Sequence, residues 1–134
     1  MKRKNKTLTL TLIIAASIIL ILIIQAPLNK QKIPTRFIAG EVMGFDLGPG
    51  NINFGQIVPG YSASRAMTIA NIYDHPILIT IESSGEISEY IIVSKNNFIL
   101  QPNESKEITF SCYTEKGIEL REYPGQIIII TNKA

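Results

Sequence analysis

One cysteine, one histidine and no tryptophan occur in 134 residues. A lone Cys112 excludes an intrachain disulfide and a metal centre built from several cysteines. A zinc site needs three or four ligands, and His75 stands as the only imidazole. For the same reason a Ser-His-Asp triad has no evident assembly around it. No D-x-D-x-D-G calcium loop is present. Positive charge is also scarce outside one place. The chain carries +2 overall, but Lys2, Arg3, Lys4 and Lys6 supply four positive charges, so the remainder sums to −2. No basic stripe is left to follow a nucleic acid. These absences lead to the expectation of a protein without catalytic residues, cofactor, metal, small-molecule substrate or nucleic-acid partner.

What is present first is a long apolar run. Thr7–Asn29 contains no charged residue, and LTLTLIIAASIILILII (8–24) holds twelve leucines and isoleucines. About 20 residues in a helix cross the ~30 Å hydrocarbon layer. At roughly −0.3 to −0.6 kcal/mol each, the twelve contribute on the order of −5 kcal/mol toward insertion. A cleaved secretory signal has a shorter apolar region and an A-x-A-like site; here the run ends in Gln25-Ala26-Pro27. A pilin-like leader would place a small residue after the basic cluster, where Asn5-Lys6-Thr7 stands. The pattern favours an uncleaved signal anchor: a basic tail over 1–6 and a transmembrane helix over 7–26. Lys2, Arg3, Lys4 and Lys6 orient the N-terminus toward the cytoplasm, with Lys30, Lys32 and Arg36 weakening the asymmetry. The expected location is the cell membrane, single-pass, with the C-terminal part extracytoplasmic.

Residues 27–44 read as a tether, with two prolines and mixed charge and room for one short extra strand. Beyond it, over 45–134, the period is two and no amphipathic helix pattern occurs. Ile77, Ile79 and Ile81 alternate with Leu78, Thr80 and Glu82, while Ile108, Phe110 and Cys112 alternate with Thr109, Ser111 and Tyr113. Such runs have one apolar face, as half-buried antiparallel strands require. IIII (127–130) is apolar on both faces and reads as a central or covered strand. Turn residues punctuate the runs at VPG (58–60), NIYDHP (71–76), SSGE (83–86), QPNES (101–105) and EYPG (122–125). The spacing predicts strands at 51–57, 64–71, 77–82, 89–94, 97–100, 106–113 and 125–131. The expected core comprises Phe54, Ile57, Met67, Ile69, Ile79, Ile81, Ile91, Phe98, Leu100, Ile108, Phe110 and Ile129.

The order INFGQIVPGYSASRAMTIAN, PILITIESSGEISEYIIVSKNNFILQPNESKEITFSCY and YPGQIIIIT resembles immunoglobulin-like domains of the abnormal-spindle/hydin and major-sperm-protein type. It is most similar to short membrane-anchored archaeal proteins with one N-terminal helix. The markers are Phe54-Gly55, Pro59-Gly60, Asn71 and Pro102. The resemblance implies an all-β fold: a roughly seven-stranded antiparallel immunoglobulin-like β-sandwich preceded by the transmembrane helix. It also implies a non-catalytic binding, adhesion or envelope-scaffold module, partnered by membrane lipid through 7–26 and by another envelope or surface protein. The alternative is a subunit of a surface filament or its motor. Related bacterial envelope domains carry paired cysteines where this chain has SSGEIS (83–88).

Several residue groups ask for a place in the fold. DLGPG (46–50) with INFG (52–55) has the glycine content of a phosphate loop, but no helix follows to face an anion. Asn103-Glu104-Ser105 is a candidate glycosylation site on Asn103. Glu82, Glu86 and Glu89, and Glu115, Glu119 and Glu122, read as solvated acidic clusters. Cys112 reads as a buried thiol. Tyr61, Tyr73, Tyr90, Tyr113 and Tyr123 would form a contact patch if the fold gathers them.

Overall fold

A computed structural model describes residues 2–41 and 52–134 of the chain. It consists of one N-terminal helix, α1 (Lys2–Ile24), followed by two β-sheets. DLGPG (46–50) lies outside the described residues.

No glycine or proline interrupts residues 2–24, so nothing breaks the i→i−4 ladder. The helical bonds continue just past the last turn, with Gln25 N–H donating to Ile21 O and Ala26 N–H to Ile23 O. Pro27 then ends the series. The helix starts within the basic tail, and it stops two residues before the expected 26. All twelve leucines and isoleucines are between 51 % and 74 % exposed, so among the described residues nothing buries a face of α1. The apolar stretch Lys6–Ile24 has 19 residues, about 28 Å of helix. One N-terminal helix is therefore long and apolar enough to span a membrane.

The expectation of a tether over 27–44 requires correction. β1 (Asn29–Ala39) is an eleven-residue strand, far longer than the short extra strand allowed for. It pairs antiparallel with β8 (Glu122–Lys133) from Asn29↔Thr131 to Ile38↔Glu122. Ile33, Thr35, Phe37 and Ala39 are buried, while Lys32, Pro34, Arg36 and Ile38 are exposed. Pro34 and the charges disguised this period of two. The proline is tolerated for a geometric reason. Ala39 N–H donates to Arg121 O, which aims the odd-numbered N–H groups at β8 and the even-numbered ones away from it. Pro34 is even, and the ladder on its other side begins only at Thr35↔Ile52. Among the described residues no ladder bond needs the hydrogen it lacks.

β2 (Ile52–Ile57) runs parallel to β1, with Arg36↔Asn53 followed by Phe37↔Gly55. Two residues of β2 thus face one of β1, and Gly55 takes φ +72° at this bulge. Asn53 Oδ1 accepts the Gly55 N–H at 3.2 Å. At the next turn Tyr61 N–H donates to Val58 O, with Pro59 second and Gly60 third at φ +89°. This is the type II arrangement that the Pro-Gly pair predicts.

The remaining strands are β3 (Ser62–Ala70), β4 (Ile77–Gly85), β5 (Ile91–Val93), β6 (Phe98–Leu100) and β7 (Ser105–Tyr113). One sheet has the order β2-β1-β8-β4-β6, and the other β3-β7-β5. Eight strands are thus found among the described residues where seven were expected, the addition being β1. The run expected as a strand at 89–94 is split into a three-ten helix, Glu86–Tyr90, and the short β5. β8 is the middle strand of its sheet, as IIII suggested. Its outward Ile128 is in register between Lys32 and Glu82, whose aliphatic stems flank it.

A single core joins both sheets. Nine of the twelve expected core residues are buried in it, while Met67, Ile69 and Ile91 pack against it half-buried. Nine further residues complete it: Ile33, Phe37, Ala39, Ile52, Ile77, Ile87, Cys112, Tyr123 and Ile127.

Candidate functional site

Strand pairing divides the sheets into two ends. The end next to α1 carries Leu28, the 71–76 loop, the 101–104 turn and the last residues of β8. The far end carries the 58–61 turn, the three-ten helix and the 114–121 loop. Four of the five tyrosines gather at the far end. Tyr61 precedes β3, Tyr113 ends β7, Tyr90 closes the three-ten helix and Tyr123 opens β8. Tyr73 lies at the other end, stacked on His75 at 5.6 Å.

Beneath this surface is an aromatic cluster. The Phe37 and Tyr123 rings stack at 4.7 Å with 4° between planes, and Tyr90 meets both edge-on at 5.4 and 5.3 Å. Such pairs add about 0.5–1.5 kcal/mol beyond area burial. Tyr123 OH donates to Glu119 O at 3.0 Å, and the Arg121 guanidinium lies 4.0 Å above the Tyr123 ring. Arg121 also pairs with Glu86 and, at 3.4 Å, with Glu119. These bonds fasten the three-ten helix and the 114–121 loop to the start of β8. Arg121 is shifted further up by the Glu86 hydrogen bond. Burial raises the Tyr90 phenol above its ordinary value, reinforced by Tyr123, Glu89 and Glu115.

Thr114 organises the turn opposite. Its N–H donates to Tyr61 O, its carbonyl accepts the Gly60 N–H, and its hydroxyl lies within 3.1 Å of Val58 O and 2.9 Å of Tyr61 O. Beside it opens a cleft of about 390 Å³ lined by Glu89, Tyr90, Ile92, Tyr113, Thr114 and Glu115. Ile92 and Tyr113 are 60 % and 53 % exposed, and Ile92↔Ser111 pairing puts them diagonally on one sheet face. Two carboxylates beside phenol rings suit a cationic side chain, which gains both charge pairing and ring contact.

All six glutamates read as solvated acidic clusters are exposed. Glu82 sits on the outer face of β4, away from Glu86 and Glu89. Glu86 and Glu119 pair with Arg121, and Glu122 with Arg36 at 3.1 Å. Among the described residues no group of three or more His, Cys, Asp or Glu is placed to share a metal ion. His75 Nδ1 lies 3.2 Å from Pro76 O within its turn.

The fold markers do local work. Asn71 is buried, and its Nδ2 donates to His75 O at 2.9 Å and to Leu100 O at 3.0 Å. Its Oδ1 accepts the Tyr73 N–H at 2.9 Å. Its backbone N–H donates to Glu104 O, and its carbonyl accepts the Asn103 N–H. Glu104 N–H donates to Gln101 O, so Pro102 and Asn103 occupy the middle of a β-turn. Asn103 is exposed there with φ +63°, a conformation asparagine tolerates. Lys6 is exposed on α1; the side chains of Lys2, Arg3 and Lys4 lie outside the described residues.

Cys112 is fully buried, and burial pushes its thiol up to about 12. A reactive thiolate is scarce at neutral pH. In the folded chain at pH 8, Ellman's reagent is expected to label Cys112 at least about 100-fold more slowly than in guanidinium. Equal rates in the two conditions would contradict its placement.

Sequence reasoning missed Phe37, Arg121 and the inward role of Tyr123. Phe37 was legible in the alternation Ile33-Thr35-Phe37. No family model matches this chain, and no curated protein or solved structure does either.

Proposed function

We propose that this is a single-pass membrane protein displaying an immunoglobulin-like β domain on the extracytoplasmic side, as a non-catalytic binding, adhesion or envelope-scaffold module. The observation that carries it is α1: twelve large apolar side chains exposed on every face find no partner among the described residues, and a bilayer buries them all. Two sheets closing on one core, with a Pro-Gly turn and the Asn71 hub at the expected positions, support the immunoglobulin-like reading. The basic residues before α1 support a cytoplasmic N-terminus. The far-end cleft is the contact site, and its partner is a surface protein offering a lysine or arginine.

The test is made in cells of the source organism. The chain resists alkaline extraction, and protease added outside intact cells removes residues beyond α1. Protection of those residues until the membrane is opened would overturn the orientation. Recovery of the chain in purified surface filaments would favour the filament-subunit reading, since a uniformly apolar helix also packs in a bundle.

A further inference from the structure

We infer that the end of the β domain next to α1 rests on the lipid surface, with Ile72 reaching the boundary between headgroups and acyl chains. This rests on the reading of α1 as membrane-spanning.

Chain length makes the first part of the argument. The apolar stretch Lys6–Ile24 only just matches the hydrocarbon thickness, which puts Ile24 at its edge. Leu28 N–H already donates to Thr131 O of β8, at 2.7 Å. The four steps from Ile24 to Leu28 extend at most about 14 Å. Gln25 and Ala26 still make helical bonds to Ile21 and Ile23, so the link is shorter than that. About half of such a distance is the headgroup layer itself. The domain is therefore seated at the lipid surface and does not swing on a tether.

Residue placement makes the second part. Ile72 is 85 % exposed, the highest value among the large apolar side chains described. It lies close to the membrane end of β1, because Ile72 and Asn29 line one cleft of about 230 Å³. The cleft's apolar walls include Met67, Ile69 and Ile129. Ile72 is held outward by a built loop. Asn71, just before it, bonds Tyr73 N–H and His75 O, both just after it, and Ala134 N–H ties Pro76 O to the end of β8. Leu28, 41 % exposed, adds a second apolar side chain at this end. Lys30 and Lys133 are exposed near it and reach toward phosphates. Exposed Asp74 and Glu104 share this end with the lysines, while Glu86, Glu89, Glu115, Glu119 and Glu122 are at the opposite end.

The test uses the full chain in vesicles of phosphatidylcholine mixed with phosphatidylglycerol. Nitroxide labels are attached to Ile72→Cys and, at the far end, to Leu120→Cys; the buried Cys112 does not compete. Collision with oxygen, which concentrates in lipid, is compared with collision with a water-soluble nickel chelate. The oxygen-to-nickel ratio at Ile72→Cys is expected to exceed that at Leu120→Cys by at least about fivefold. Equal ratios in chains that float with the vesicles would overturn the inference while leaving the anchor intact. A label shielded from both reagents would also overturn it, marking a protein contact instead. Chains that fail to float would remove the anchor reading, and this inference with it.

Discussion

Asn71→Asp is expected to destabilise the β domain by about 3–5 kcal/mol, a large part of the 5–15 kcal/mol typical of a domain. The two side chains have almost the same shape, so the loss isolates hydrogen bonding. Nδ2 now donates to two carbonyls, His75 O and Leu100 O. A carboxylate would place negative oxygen against both, inside a site with 2 % exposure. Asn71→Ala leaves the carbonyls unpaired but introduces no charge, and its expected cost is smaller, about 2–3 kcal/mol. The sign of the pH dependence separates the two. Burial raises the introduced carboxyl's folded-state pKa above its unfolded value near 3.9. The folded variant then holds more protons than the unfolded chain between those two values, so its stability falls as pH rises through that window. Acidification should recover part of the loss in Asn71→Asp and little in Asn71→Ala. Thermal melts of the full chain in detergent micelles, followed by near-ultraviolet dichroism of the tyrosines, measure this. A melting point within about 3 °C of the parent would show that the hub carries little weight.

Gly125→Ala should cost about 3 kcal/mol, toward the upper end for an overfilled interior. A Cβ at Gly125 would stand 2.3 Å from Ser84 O and 2.4 Å from Ile87 Cγ2. The first obstacle is backbone and cannot rotate away. Its cross-strand partner Gly85 has φ +88°, and a Cβ there would meet the Gly125 Cα at 2.7 Å. The β4 and β8 backbones come this close so that Ile87 can close the core over them. Gly117→Ala is the control: nothing lies within 4 Å of its added Cβ, and its expected effect is under about 0.5 kcal/mol. Similar melting points for the two variants would refute the close approach.

Much of the β architecture was visible in residue alternation. Ile77-Ile79-Ile81 and Ile108-Phe110-Cys112 turn their faces inward as the period of two requires. Pro59-Gly60 and Pro102-Asn103 announced their turns through φ preferences that act locally. β1 was hidden because proline and lysine weigh against a strand when only local sequence is read. Its stability comes from β8, almost the whole domain away in sequence. The same distance explains the site. Tyr61, Tyr90, Tyr113 and Tyr123 share an end only because β3, β7, β5 and β8 start or finish there. Asn71 stood out as a marker, yet its partners Leu100 and Glu104 belong to segments that local patterning cannot connect to it.

The pairing of β1 with β8 has a mechanical consequence. A pull between α1 and the far end of the domain enters it at Asn29, along the axis of β1. The ladder from Asn29↔Thr131 to Ile38↔Glu122 lies parallel to that axis. Load is then shared in shear across the whole ladder, where a perpendicular pull would peel its bonds one after another. The strand that follows α1 directly is thus the one held along its full length, and the domain is built to resist tension applied through that helix.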